Sequence, residues 1–308
     1  MSIKRAVKFV ISIVLMIGLV VYVGGSEVLN VFLSLDWFYI ALLVLMSWVL
    51  IYVSCLKWQL FIKHQNKQVS VFYLMRLYTI AYFFNIFAPS SLGGDALRSY
   101  KLGKFLGSQA DAFAATFLER VTGVIAMCSM GLLALLFGAA SGFKLLLFVI
   151  CIPVLIFTLS CFIPAARSLL FVQTRKMVPI KLISIYDKIE VATAYASGNK
   201  QLLFYALLYS LLFHFLAVVN TYIACAAVGW TEVNIFDLFV VLPLILILGS
   251  LPLTPNGMGL QEGAFMFFLK SIGAVSSVGL SVGLLLRAKV ILLAIVGGIL
   301  YMLPDKNS

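Results

Sequence analysis

The sequence predicts an all-α integral membrane protein with six full transmembrane helices and two opposed re-entrant helical hairpins, arranged as an inverted repeat. Three observations predict this class: the apolar content, the long apolar runs, and two similar interruptions in the halves of the chain. Of the 308 residues, 63% are hydrophobic and 11% are charged, whereas soluble domains carry about 25% charged residues. The mean hydropathy is +1.13. These values exclude a soluble enzyme, a disordered chain and a disulfide scaffold.

The net charge of +11 is typical of a membrane protein whose basic residues face the cytoplasm and anionic lipid. We expect no nucleic-acid partner, because the basic residues flank apolar spans rather than one soluble face. The five cysteines lie in apolar runs without the spacing of metal ligands, and we expect them to be small buried hydrophobic residues. They are Cys55, Cys128, Cys151, Cys161 and Cys225.

The first predicted span covers residues 9–23, with a basic N-terminus inside. Residues 24–36 contain no Lys or Arg and are predicted to form an external loop. Residues 37–56 form the second predicted span, after which Lys57 marks the return to the cytoplasm. Residues 71–88 then form an apolar segment that ends before a proline.

A full crossing by residues 71–88 would place Arg98, Lys101 and Lys104 outside, against the positive-inside bias. A re-entrant hairpin, with one half-helix in and one half-helix back, avoids this placement. We therefore predict the first hairpin here.

Residues 112–138 and 144–163 are predicted to span outward and inward. The basic segment 164–200 then lies in the cytoplasm, with an amphipathic surface helix at 180–196. The chain crosses outward again at 201–229.

Residues 238–251 are too short to cross and end at a Pro/Gly-rich break, followed by a short apolar piece at 263–269. This predicts the second hairpin, entered from outside. The last span, 274–302, runs inward, so both termini are cytoplasmic in what we expect to be a bacterial inner membrane. The topology places 16 of the 22 Lys and Arg residues inside, two outside and four within membrane segments.

The two interruptions share one pattern, within repeat halves at about 71–138 and 238–302. In each half a proline precedes a glycine by four residues, an acid follows, and an arginine lies 25 residues beyond the acid. Opposed, interrupted segments in two halves indicate a transporter with its site near the membrane midplane. The residues of this repeated pattern are Pro89, Gly93, Asp95 and Arg120 in the first half, and Pro255, Gly259, Glu262 and Arg287 in the second.

Backbone groups freed at such breaks must be buried in protein or line a wet cavity. Half-helices starting at Ala96 and Gly263 would point their positive ends into that cavity, which suits a phosphate. We predict that three arginines line one cavity and bind a lipid phosphate through paired hydrogen bonds, while three acids orient them. The candidate substrate-binding residues are Arg98, Arg120, Arg287, Asn85, Asp95, Glu119, Glu262, Gly93, Gly94, Pro255, Gly257 and Gly259.

Structural alternatives exist for several of these residues. Asp95 could only cap the helix that starts at Ala96, and Glu119 with Arg120 could be an internal ion pair. Arg287 could extend toward the membrane interface, and the proline break could be a plain kink. The sequence contains no metal-ligand cluster, nucleotide loop or nucleophile elbow, so we expect no cofactor, no metal and no enzymatic activity.

The motifs around the two breaks resemble one family closely. They are Asn85-Ile-Phe-Ala-Pro, Gly93-Gly-Asp-Ala-Leu-Arg, Leu118-Glu-Arg, Leu253-Thr-Pro-Asn-Gly-Met-Gly-Leu-Gln-Glu and Arg287. The chain is similar to the lysylphosphatidylglycerol synthase transmembrane-region family, the flippase-like module of the multiple peptide resistance factor. The resemblance covers most of the chain and implies movement of a phospholipid between leaflets. The sequence ends four residues after Pro304, so we expect a stand-alone member without the synthase domain.

The function we expect is flippase-like translocation of an anionic or lipid-linked substrate, either a phospholipid or a polyprenyl-phosphate-linked lipid. One alternative is a non-transporting membrane partner of a glycosyltransferase or lipid-modifying enzyme. A third is an integral-membrane enzyme that acts on a lipid head group. The absence of an ATP-binding motif in the sequence favours passive or ion-coupled movement in the first case.

Overall fold

The computed structural model describes residues 3–63, 68–88, 92–137 and 141–304, and these residues form α-helices joined by short turns, with no strand among them. The thirteen α-helices in these ranges are α1 (Ile3–Val23), α2 (Gly25–Leu33), α3 (Trp37–Lys63), α4 (Val71–Phe87), α5 (Leu92–Leu106), α6 (Gln109–Ala134), α7 (Lys144–Ser160), α8 (Pro164–Arg175), α9 (Ile183–Gly198), α10 (Lys200–Ala227), α11 (Ile235–Ser250), α12 (Leu260–Ser271) and α13 (Ser276–Met302). The predicted all-α class is confirmed.

Four of the described helices are long and apolar enough to cross a membrane: α3, α6 with the turn that follows it, α10 and α13. Two further candidates are bent pairs, in which α1 meets α2 at 87° and α7 meets α8 at 93°. The described chain therefore has four spans by length and composition, or six if each bent pair counts as one. This arrangement is that of a multi-pass membrane protein.

The first bend corrects a detail of the sequence-based topology. Residues 24–36 were expected to be an external loop, but α2 occupies most of them. Gly24 turns the chain with φ 104°, a backbone conformation that glycine adopts without steric cost. At the second bend, Pro164 starts α8, because proline has no N–H to continue the hydrogen bonding of α7 and fits the first helical position.

The segments predicted to form hairpins are two pairs of short helices, which we call the first helix pair (α4 and α5) and the second helix pair (α11 and α12). In the first pair, the Asn85 carboxamide accepts a hydrogen bond from the Gly94 N–H at 2.7 Å. A Cβ at Gly94 would lie 2.5 Å from the Ala81 carbonyl oxygen, so glycine permits the close approach. Asn85 therefore caps the start of α5.

The second helix pair turns at Pro255–Gly257, where Gly257 adopts φ 67° and packs against the Gly249 backbone. This turn also contacts α4, so the tip of the second pair reaches the first pair. The corresponding proline of the first half, Pro89, lies outside the described residues. The two helix pairs thus meet inside the molecule.

The helix α13 packs along α4, and two features hold this contact. A Cβ at Gly297 would overlap the Thr79 backbone, so the crossing needs glycine. The Arg76 guanidinium donates hydrogen bonds to the carbonyls of Leu300 and Leu303 at 3.2 and 2.7 Å. Because the carbonyls at a helix C-terminus lack partners within the helix, a basic side chain there satisfies them. Arg76 thereby caps α13.

We predict that Gly297→Ala lowers the stability of the folded protein by about 1–3 kcal/mol, since its methyl group would force α13 away from the Thr79 backbone. The matched control is Gly18→Ala, because nothing lies within 4 Å of a Cβ built at Gly18 in α1. Thermal unfolding of the purified protein in detergent measures both. Equal melting temperatures for the two variants would refute the tight crossing.

Candidate functional site

The first cluster of buried charges forms where the first helix pair meets α6. Asp95 lies in the first turn of α5 and binds two arginines at once. Arg98 donates from Nε to Asp95 Oδ1 at 2.9 Å. Arg120 of α6 donates from Nε to Oδ2 at 2.7 Å and from Nη2 to Oδ1 at 2.6 Å. The last two bonds form the bidentate pairing that makes arginine–carboxylate contacts strong.

Glu119 is the second acid of this cluster and it binds Arg98. The Arg98 Nη2 lies 2.7 Å from Glu119 Oε2, and the Tyr78 hydroxyl donates to Glu119 Oε1. The Arg98 guanidinium also packs on the rings of Trp58 and Tyr78, 4.4 and 4.1 Å from their centroids. Its side chain is 0% exposed. Arg98 was predicted to contact phosphate, but this enclosed position favours a structural role.

Arg120 differs from Arg98 in exposure. One flank of its guanidinium binds Asp95, yet 53% of its side chain is exposed. A charged group in the middle of a long apolar helix is costly unless it is paired or faces water. The bidentate bond to Asp95 meets the first condition, and the open flank remains available to a ligand. Of the predicted arginines in this cluster, Arg120 is the one positioned to bind an anion.

Two structural alternatives from the sequence are wrong. Asp95 was expected as a possible cap of a helix that starts at Ala96, but the chain is already helical at Leu92, and both carboxylate oxygens bind arginines. The proposed ion pair between Glu119 and Arg120 does not form, since each has another partner. Adjacent residues on a helix point in different directions, so Glu119 binds Arg98 and Arg120 binds Asp95 instead of each other.

The second cluster forms where the second helix pair meets α13. The Arg287 Nε donates to Glu262 Oε1, and Glu262 Oε2 accepts from the Gly259 N–H at 2.7 Å. Arg287 also donates to the Asn256 carbonyl at 3.0 Å and to Gln261 Oε1 at 3.3 Å. These contacts bury Arg287, so its extension toward the membrane interface is wrong. The half-helix begins at Leu260, three residues earlier than expected.

The two clusters contain the same central contact. In each, an acid in the first turn of the second short helix binds an arginine 25 residues later in the following long helix. The pairs are Asp95 with Arg120 and Glu262 with Arg287. The repeat inferred from residue spacing therefore corresponds to a repeated interaction in the fold.

Lys57 is a charged residue of the first cluster that sequence reasoning missed. It was expected to mark the return to the cytoplasm, but it lies inside α3 and is 4% exposed. Its Nζ would lie 3.3 Å from a Cβ at Gly123 of α6 and is 5.8 Å from the centre of the Phe213 ring. The apolar pattern that continues to Ile62 is the signal that could have placed Lys57 within the helix.

A cavity of about 150 Å³ adjoins the second cluster. Lys289 reaches into it and donates to Asn220 Oδ1 of α10 at 2.7 Å. The polar residues that line it are Asn220, Thr221, Gln261, Glu262, Arg287 and Lys289. Arg98 and Arg120 do not line it, because both turn toward Asp95 on the α5 side. The three arginines predicted to share one cavity thus divide between two clusters.

A smaller cavity of about 10 Å³, with room for about one water molecule, lies between the clusters and is lined by His214. It shares Leu242 and Leu246 with the larger cavity. The His214 Nε2 would lie 3.8 Å from a Cβ at Gly123, close to Lys57. Since seven residues of helix span about 10 Å, the α10 face from His214 to Thr221 connects the two clusters.

The remaining predicted site residues have backbone roles. Gly93 packs against Ala88, Gly94 donates to Asn85, and Gly257 and Gly259 adopt positive φ at the turn before α12. Pro255 starts that turn and is buried. Within the described ranges no group of three or more His, Cys, Asp or Glu side chains is placed to hold a metal ion.

We predict that Arg98→Met destabilises the protein far more than Arg120→Met. Removing Arg98 leaves Glu119 buried without its arginine, which costs about 3–5 kcal/mol, whereas loss of Arg120 leaves Asp95 bound to Arg98. Thermal unfolding in detergent measures the difference. Similar melting temperatures for the two variants would contradict the distinct roles assigned to these arginines.

Comparison with known proteins assigns the chain to a family. Residues 6–298 match the family described as the lysylphosphatidylglycerol synthase TM region. A UPF0104 membrane protein from Methanothermobacter thermautotrophicus is 21% identical, over 89% of this chain and 88% of its own. Another from Pyrococcus horikoshii is 22% identical, over 92% of each chain. No solved structure matches. This multi-pass membrane protein belongs to the lysylphosphatidylglycerol synthase transmembrane-region family, as its paired motifs predicted.

Proposed function

We propose that the protein moves an anionic or lipid-linked substrate between the two leaflets of a cell membrane, as a flippase does. The observation that carries this proposal is the repeated acid–arginine pair at the tips of two short helix pairs. Short, interrupted helices in both halves are typical of transporters that bind substrate near the midplane. Intramembrane charges are costly unless they pair or serve a pathway; here the acids and arginines pair, and one flank of Arg120 is left open to a substrate.

In the topology that we propose, each bent pair is one span, so six spans flank two re-entrant hairpins with both termini in the cytoplasm. The first helix pair enters from the cytoplasm and the second from outside. The contact between the turn at Pro255–Gly257 and α4 supports hairpins that meet within the membrane. The excess of basic residues on the proposed inner side supports the orientation.

The substrate that fits this site carries a phosphate. Arginine binds phosphate through two parallel hydrogen bonds and stays charged at depth, and the open flank of Arg120 can do so while Asp95 holds the other flank. A cavity of about 150 Å³ suits a head group rather than a whole lipid. In this proposal the acyl or prenyl chains stay in the bilayer while the head group passes along α10. The substrate is a phospholipid or a polyprenyl-phosphate-linked lipid.

Reconstitution into liposomes with fluorescent lipids tests the proposal. We expect the wild-type protein to change the leaflet distribution of an anionic lipid. Arg120→Lys keeps the charge but loses the paired hydrogen bonds to phosphate, and Arg287→Lys loses the contacts that hold Glu262, Asn256 and Gln261. We expect each variant to slow transfer about tenfold or more while remaining folded. Arg175→Lys is the matched control, because Arg175 forms an exposed pair with Asp187 in α9.

Two results would count against transport. Full activity in both folded arginine variants would make these arginines structural. No redistribution of any tested lipid class by folded wild-type protein would favour the alternative from the sequence, a non-transporting membrane partner of a glycosyltransferase or lipid-modifying enzyme. Melting temperatures recorded in parallel separate loss of activity from loss of fold.

A further inference from the structure

Each charge cluster contains one more basic side chain than acidic side chains. The first cluster has three basic residues, Lys57, Arg98 and Arg120, against two acids. The second has Arg287 and Lys289 against Glu262. In both clusters the carboxylates are paired with arginines. The positive charge left without an acid in each cluster is therefore that of a lysine.

Lys57 has no acidic partner. Among the described residues its ammonium forms no hydrogen bond and no ion pair, and it lies 5.8 Å from the centre of the Phe213 ring. Glu119 is the acid whose charge acts on it, but the Glu119 carboxylate already binds Arg98 and Tyr78.

Only 4% of the Lys57 surface is exposed. The ammonium approaches α6 at Gly123, one helical turn after Glu119. A buried ammonium without an ion-pair partner of its own is unfavourable. Its retention in the fold therefore points to a ligand that supplies the negative charge.

Lys289 repeats this arrangement in the second cluster. Of its three N–H donors, the described contacts use one, toward Asn220 at 2.7 Å. It lines the cavity of about 150 Å³ together with Arg287, Gln261 and Thr221. These side chains offer further hydrogen-bonding groups around an anion, while the donors of Arg287 already bind Glu262, Asn256 and Gln261. Lys289 is thus the cation of this cluster with donors to spare.

We propose that Lys57 and Lys289 supply the further positive charge that binds an anion in the two clusters, in the first beside the open flank of Arg120, and that each cluster accepts one singly charged phosphodiester rather than a diphosphate. This inference rests on the proposed function, since it names the class of head group that the site takes. A single negative charge brings either cluster to neutrality. A diphosphate would leave a net negative charge in a buried site, where uncompensated charge is costly.

Competition binding in detergent tests the charge selectivity. Tail-labelled phosphatidylglycerol is the probe, and the competitors are unlabelled phosphatidylglycerol, farnesyl diphosphate, glycerophosphoglycerol and inorganic phosphate. We expect phosphatidylglycerol to compete at least tenfold better than farnesyl diphosphate. The water-soluble competitors separate a lipid site from a free-anion site, and we expect them to compete weakly. Stronger competition by farnesyl diphosphate or inorganic phosphate would overturn the proposal.

Substitution of the lysines tests their role. We expect Lys57→Gln and Lys289→Gln each to weaken phosphatidylglycerol binding at least fivefold. The matched controls, Lys104→Gln and Lys270→Gln, remove lysines from the last turns of α5 and α12 and are expected to change affinity less than twofold. Unchanged affinity in folded Lys57→Gln and Lys289→Gln proteins would overturn the proposal.

A stability readout separates binding from structure. Because Lys57 is buried without an ion-pair partner of its own, Lys57→Met should raise the melting temperature of lipid-free protein by about 2–4 °C, while it removes binding. A fall in melting temperature with unchanged affinity would make Lys57 an ordinary structural residue. Selective binding without any transfer between leaflets would leave this inference standing and refute the transporter.

Discussion

The bond between a short-helix acid and a long-helix arginine is the interaction on which this fold depends. Helices of 12 to 17 residues are shorter than the about 20 residues needed to cross hydrocarbon, so they must be held by protein contacts. Asp95 and Glu262 provide those contacts by binding Arg120 and Arg287. Removing one partner of a buried pair costs about 3–5 kcal/mol, and the buried Glu262–Arg287 pair fixes α12 to α13. In the first half, the buried Arg98–Glu119 pair acts together with Asp95–Arg120 to fix α5 to α6.

This constraint also determines which side chains can act on a ligand. The acids are occupied by arginines, and Arg98 is enclosed between Trp58 and Tyr78. What stays available is cationic: the open flank of Arg120 and the two lysines without acidic partners. Lys289 lines the larger cavity, and the smaller cavity is lined by His214, which lies close to Lys57. Both cavities adjoin α10. Arg120 therefore has both roles, one on each flank, whereas for the other residues of the clusters structural pairing and anion binding are assigned to different side chains.

The sequence predicted the repeat because proline, glycine, acid and arginine recur at equal spacing, and both acid–arginine pairs form in the structure. It also predicted the short helices from their length and their breaks. The bends at Gly24 and Pro164 were missed, since hydropathy reports apolar content and not direction. The true partner of Glu119 was missed because partner choice depends on which face of α6 each residue occupies.

Lys57 shows a different limit of sequence reasoning. The positive-inside rule treats a lysine after an apolar run as a loop residue, and a buried lysine without a partner is rare. Only the packing of α3 against α6 at Gly123 reveals that its ammonium points into the protein. The lysines that do lie at the ends of short helices, Lys104 and Lys270, occupy equivalent positions in the two halves.

The central claim is that two equivalent helix pairs enter the membrane from opposite sides. Single cysteines at positions 104 and 270, labelled with a membrane-impermeant maleimide, test it directly, because all five native cysteines are buried. The account predicts that in intact cells position 270 labels and position 104 labels only after permeabilisation. Labelling of both positions from the same side would contradict the inverted arrangement.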